Sequence, residues 1–266
     1  MMRIKQHDEI IQAEMKVTFA KQSLYVNLYL IDGILVDTGP SSKTNELIPV
    51  LKSWDYDQVI LTHYHEDHSG LAPWIQKNRE VPIFIHEQGI ELCTKRANLP
   101  FYRKVFWGGR KAFIPKILPE RLNGRKYEWE FIHSPGHSPD HIALYNQENG
   151  WMFGGDLYVL GKPKSLFAFE DASILMGSIQ KVLEYDFETY ICSHAGIFKD
   201  GKKMLQRKLD YLEEVKGKVE LLQKKGSSQR EITKTLFPKK HALNYLSMFE
   251  NSPSYLVRSF FQQNNE

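Results

Sequence analysis

Cysteine is scarce: Cys93 and Cys192 are the two in a chain of 266 residues. Two thiols cannot build a disulfide framework, so a reducing, cytoplasmic setting is the expectation. The opening Met1-Met-Arg-Ile-Lys-Gln-His-Asp has no apolar stretch of the kind a secretory signal needs. The greasiest segment, Leu24 to Val36, is interrupted by Asn27, Asp32 and Gly33 and is too short to span a bilayer. Internal repeats and low-complexity tracts are missing as well. With 42% hydrophobic and 12% aromatic residues, disordered, collagenous and coiled-coil classes are excluded and a sizeable core is affordable.

A strong overall charge is also lacking, since the net value is only +3, but its distribution is uneven. Residues 95–126 carry ten Lys or Arg against the single acid Glu120, and residues 199–266 carry fourteen basic against eight acidic side chains. The rest of the chain is left with eleven basic and twenty-three acidic groups. An acidic body with two basic additions suits a cation-binding core that meets an anionic substrate.

Regular structure is expected in alternating short strands and helices. Leu24–Ile31, the turn Asp32-Gly33 and Ile34–Val36 read as a hairpin. Helical spacing occupies 43–53, a strand runs from Gln58 into His63, a helix starts near Ser69, and Pro82-Ile-Phe-Ile is a strand before a helix at 87–95. Residues 96–124, with Pro100, Gly108-Gly109, Pro115 and Pro119, show no clean period and read as an irregular insertion or lid. Strands follow near 126–132, 141–146 and 151–155, then a helix at 172–185 and a strand from Tyr190 into His194. Leu205, Leu209, Leu212, Val219 and Leu222 recur at helical steps. Ser228-Gln-Arg-Glu231 is a capping box opening another helix, and a further helical pattern covers much of 241–263. The division expected is 1–200 as the catalytic body and 201–266 as an all-helical extension.

Chemistry concentrates in His63-Tyr-His65-Glu-Asp67-His68, directly after a strand. In a tight turn, imidazoles and a carboxylate at this spacing converge on a borderline cation such as zinc; a surface turn whose histidines bind nothing is the bland alternative. His137 in Ser134-Pro-Gly-His, Asp156 in Phe153-Gly-Gly-Asp and His194 in Cys192-Ser-His-Ala-Gly each follow an apolar strand and sit beside glycine. Alone, each reads as an ordinary turn residue; together they complete two coordination sets. Cys192 reads as core packing.

Over about residues 15–198 these motifs resemble, in order, those of the metallo-β-lactamase superfamily. The resemblance implies an α/β αββα sandwich with metals at one edge. His63, His65 and His137 would hold one ion, Asp67, His68 and His194 a second, and Asp156 would bridge them. Asp37, in the Asp-Thr-Gly segment, and His141 would support the ligands. The cofactors implied are two divalent ions, zinc first, with manganese or iron as alternatives. The activity implied is hydrolysis of an ester, thioester, lactone or phosphodiester bond by a metal-bridging hydroxide, with Asp67 able to accept the water proton. A mononuclear iron persulfide dioxygenase, which shares the HxHxDH string, is the other reading. Asp156 argues against the zinc β-lactamases, which lack that bridging carboxylate. The ligand set is that of the glyoxalase II type, but no glutathione-binding pattern is found in the tail. Quorum-quenching lactonases share the set too, but their tyrosine stands one position further from the bridging Asp than Tyr158 does.

Arg103, Lys104, Trp107, Arg110, Lys111 and Tyr158 are the candidates for binding substrate. Aromatics interleaved with cations in the insertion fit an anionic small molecule or a single-stranded nucleic acid; a lid with solvated cations fits the same residues. The tail is similar to the helical extension of β-lactamase-like endoribonucleases, and a packing cap accounts for it equally well. No membrane partner is expected.

Overall fold

Alternation of side chains along the strands sorts the apolar residues into three layers. In a computed structural model describing residues 2–19 and 22–261, Ile34 and Val36 point to one cluster while Leu35 points to another. Likewise Ile142, Leu144, Trp151, Phe153 and Ile191 face the first cluster, and Ala143, Tyr145, Met152, Tyr190 and Cys192 face a third. The first cluster is therefore the filling between two sheets, and the other two lie between a sheet and its helices. That is the expected αββα sandwich.

One sheet has seven strands in sequential order, from Met2–His7 and Ile10–Phe19 through Gln22–Ile31, Ile34–Val36, Gln58–Ile60 and Ile83–Ile85 to Lys116–Ile117. The other has six, ordered Gly196–Phe198, Thr189–Cys192, Trp151–Phe153, Ile142–Asn146, Glu128–His133, Arg121–Asn123. The hairpin turn is as expected, with Asp32 and Gly33 both at positive φ (55° and 73°), the left-handed pair such a tight connection requires. Asp32 also ties the two sheets together: its carboxylate accepts from the backbone N–H groups of Lys126 and Tyr127 and from Trp129 Nε1 at 2.7–3.1 Å.

The insertion departs from expectation. Residues 96–124 are not irregular throughout but contain a helix, Phe101–Trp107, and two short strands. Its buried face comprises Tyr102, Arg103, Phe106 and Trp107. An arginine on the inward face hid the apolar period.

The helix Gly201–Lys224 buries Leu205, Leu209, Leu212, Val215 and Val219 against the second sheet and the helix Ala172–Leu183. The capping box at Ser228 and Glu231 is present and opens the helix Gln229–Leu236. Beyond it, Ala242–Leu246 and Pro253–Arg258 are helical, and Asn251–Ser252 pairs with Leu166–Phe167 as a two-residue strand. Residues 262–263 of the helical pattern lie outside the described residues. No helix among those described is long and apolar enough to cross a membrane.

Candidate metal centre

Strand ends deliver every candidate ligand to one edge of the sandwich. Asp37 follows Ile34–Val36, His63 follows Gln58–Ile60, His137 follows Glu128–His133, Asp156 follows Trp151–Phe153 and His194 follows Thr189–Cys192. All seven proposed ligands are brought together, with Asp67 and His68 carried on the single turn Glu66–Ser69.

Hydrogen bonds behind the rings fix which nitrogen faces the centre. Thr62 Oγ1 donates its one proton to Asp37 and so accepts from His63 Nδ1 at 3.1 Å, which leaves Nε2 of His63 as a lone pair. His137 donates Nδ1–H to Glu170 Oε1 at 2.7 Å, freeing its Nε2. His65 Nδ1 then lies 2.9 Å from His63 Nε2 and 3.0 Å from His137 Nε2. With those tautomers the lone pairs of His63 and His137 converge on His65 Nδ1, and with the His65 proton on Nε2 all three nitrogens would offer lone pairs to one shared cation. Burial, aided by neighbouring cationic groups, pushes His63 and His65 well below the ordinary histidine range, which keeps them neutral and able to ligate.

A second set lies beside the first. His68 donates Nδ1–H to Asp37 Oδ2 at 2.7 Å, and His194 donates Nδ1–H to the carbonyl of Tyr25 at 2.6 Å. Nε2 of His194 faces Asp67 Oδ2 at 3.4 Å, and Nε2 of His68 faces the same oxygen at 3.6 Å. Burial opposes charge on these rings, yet Asp156 and the other carboxylates outweigh it and lift both well above the usual range, the mark of a pocket that attracts positive charge. Asp156 stands between the sets: Oδ2 is 3.2 Å from Nε2 of both His137 and His194, and Oδ1 is 3.6 Å from His68 Nε2. Three groupings of close ligand atoms result: His63, His65, His137; His63, His68, Asp156; and Asp67, His68, His194. Within the cage, buried His65 Nε2, His68 Nε2 and Asp156 Oδ1 have no hydrogen-bond partner, and buried polar atoms are rarely left so. The donor set thus fits one or two borderline divalent ions.

The two expected supports sit behind this cage. Asp37, at φ 62°, holds His68 and accepts from the Thr62 backbone N–H at 2.8 Å. His141 is driven down to about 3 by burial; its neutral ring donates Nδ1–H to the Ser134 carbonyl at 3.0 Å and accepts the Asp156 backbone N–H at Nε2, 2.9 Å away.

The substrate candidates are placed differently from one another. Arg103 is buried and makes a bidentate pair with Glu66, Nε to Oε1 at 2.6 Å and Nη2 to Oε2 at 2.7 Å, which holds its guanidinium charged. Arg110 is buried too, donating to the carbonyls of Leu92 and Cys93. Neither is the exposed cation the sequence reading requires, because each guanidinium is already engaged within the protein. Lys104 and Lys111 are exposed. Trp107 lies with its ring centroid 6.4 Å from that of His194, and the Tyr158 ring packs 6.0 Å from Phe198. Sequence reasoning missed Thr62, Glu66, Glu170 and Phe169, whose ring lies 5.0 Å from His65 and 5.2 Å from the Arg103 cation. Only Glu66, inside the histidine motif, carried a local signal.

A family model, the metallo-beta-lactamase superfamily, matches residues 23–194. The chain belongs to that superfamily. Among curated relatives, the chain is similar to the probable metallo-hydrolase YqjP of Bacillus subtilis (strain 168), 28% identical over 193 residues, 56% of this chain and 57% of that protein. It is also similar to a hydroxyacylglutathione hydrolase of Enterobacter sp. (strain 638), 28% identical over 166 residues, 60% of this chain and 55% of that one. The matches thus span less than two thirds of either relative. A beta-lactamase domain protein from Burkholderia ambifaria shares the fold with a TM-score of 0.71 at 18% identity, covering 96% of this chain and 86% of its own.

Proposed function

We propose that the chain is a metal-dependent hydrolase that holds two divalent ions, zinc first, in this superfamily site. His63, His65 and His137 hold one ion, Asp67, His68 and His194 the other, and Asp156 reaches both. The observation that carries the reading is the meeting of His63 Nε2 and His137 Nε2 within 3.0 Å of His65 Nδ1 beside a second, carboxylate-rich nitrogen set, with His68 Nε2 and Asp156 Oδ1 left without hydrogen-bond partners. Bound there, such ions lower the pKa of a coordinated water and polarise the bond under attack.

The chain's own residues then orient and shuttle. Burial tends to protonate Asp67, but His68 and His194 outweigh it and hold its carboxyl below the ordinary range, so Oδ2 is an ionised acceptor for a water proton. Asp37, Thr62, Glu170 and the Tyr25 carbonyl engage Nδ1 of His68, His63, His137 and His194, so each ring turns Nε2 to the centre, where an entering ion would displace the protons that the carboxylates hold on His68 and His194. The likeness to a hydroxyacylglutathione hydrolase favours a small-molecule thioester among ester, thioester, lactone and phosphodiester substrates. Because Arg103 and Arg110 are engaged inside, Lys104 and Lys111 are the exposed cations left of the four that the insertion offers an anionic substrate.

Metal analysis of the purified protein tests this, followed by turnover of thioester, p-nitrophenyl ester, lactone and bis-p-nitrophenyl phosphate substrates. The expected result is two zinc or manganese ions per chain and hydrolysis that Asp156→Ala or His65→Ala abolishes while the fold survives. One iron per chain with oxygen consumption on a persulfide, or full hydrolysis in either variant, refutes it.

A further inference from the structure

The turn that carries Asp156 is gripped from two sides, and one grip comes from the C-terminal helix. Gly154-Gly155-Asp156-Leu157 closes with the Leu157 N–H on the Gly154 carbonyl at 3.0 Å. Gly155 (φ 48°) and the β-branched Val159 (φ 29°) are both in the left-handed region, which Val adopts only under restraint from its surroundings. On the sheet side, His141 Nε2 accepts the Asp156 N–H. On the opposite side, Lys208 of the helix Gly201–Lys224 donates from Nζ to the Leu157 carbonyl and, at 3.0 Å, to the Tyr158 carbonyl.

Lys208 is 3% exposed, on the same helix face as the buried Leu205, Leu209 and Leu212. A methionine there would fill similar space without the cost of burying an ammonium group. Burial draws that ammonium down to about 8, so the interior tolerates the cation at a cost, and the two carbonyls are what it holds in return.

We propose that Lys208 is a positioning residue for the metal centre, fixing the 156–159 turn from behind so that the Asp156 carboxylate faces both histidine sets. The inference rests on the metal reading of the cage. It assigns the helical extension a part in building that cage, from a residue that touches no ligand side chain.

Zinc affinity of the full chain, measured by competition with a chromophoric chelator, is the test, alongside thermal unfolding of each variant. Lys208→Met is expected to weaken zinc binding by roughly 10–100-fold, the range typical of groups that orient ligands. Leu212→Ala, a cavity on the same helix, is expected to lower the melting temperature and leave zinc affinity unchanged. Equal affinity in Lys208→Met and the parent overturns the inference, and so does an equal loss in Leu212→Ala, because general loosening would then suffice. Should Lys208→Met not fold, the parent protein still decides. Acylation of Lys208, mapped by mass spectrometry, must be slowed by zinc more than amide exchange elsewhere in the same helix, since zinc stabilises the folded state as a whole; equal slowing overturns it. A parent chain that binds no zinc sinks the metal reading and this inference together, whereas zinc held equally by parent and Lys208→Met sinks only the inference.

Discussion

Asp140 is the residue whose environment conflicts most with its charge. It is fully buried; Oδ1 accepts from Ser138 Oγ at 2.8 Å, while Oδ2 has no hydrogen-bond partner. Burial lifts its carboxyl from 3.8 to about 6. Between those values the native state keeps a proton that the unfolded chain has released, so the Asp140 contribution to stability falls as pH rises through that window, by up to ~3 kcal/mol near neutrality. Asp140→Asn should therefore melt higher than the parent at neutral pH and alike near pH ~4; a difference that does not grow with pH refutes this reading. The thiols behave oppositely to reactive ones: burial pushes Cys93 up to about 12 and raises Cys192, and both are buried. Neither should react with a disulfide reagent until the protein unfolds, so a fast native phase would contradict the placement. Of the residues at the centre, those in short motifs were legible in sequence because a turn needs only local spacing to aim them. Glu170 and Lys208 were not, since what makes them matter is a partner far away in the chain.

Among the elements, the insertion helix Phe101–Trp107 joins the ligand turn through one ion pair, Arg103 on Glu66, whose neighbours are His65 and Asp67. Removing one partner strands a buried charge, so Arg103→Ala should destabilise by about 3–5 kcal/mol. Replacing both by apolar residues, as Arg103→Met with Glu66→Met, should restore much of that loss. Denaturant unfolding of Arg103→Met, Glu66→Met and the double variant closes the cycle, and additive losses would mean the pair contributes little. The helix itself illustrates the limit of pattern reading. Its period is regular once Arg103 is counted inward, and nothing in the sequence says that an arginine faces in. The long helix from Gly201 was legible because its inward face is leucine and valine apart from Lys208.

For the whole molecule, the apolar cluster beneath the second sheet draws Ile132, Ala143, Met152 and Tyr190 together with Leu205, Leu212, Val219, Ile232 and Leu256. A chain ending at residue 199 would expose that surface and should fail to yield a monodisperse, cooperatively melting protein; a well-behaved truncated form would show the tail to be dispensable for folding. The four layers were legible through the family resemblance that the spaced His and Asp motifs carry, whereas the pairing of Asn251–Ser252 with Leu166–Phe167 was not, being two residues fixed by docking rather than by propensity. At the hairpin end of the sandwich, Asp32 staples the sheets with three hydrogen bonds made entirely of protein. The opposite end carries the imidazole cage that the proposed ions would lace together. Without the proposed ions, the molecule should therefore fray like a book bound along one spine, with amide exchange quickening at 62–68 and 134–141 while 124–129 stays protected.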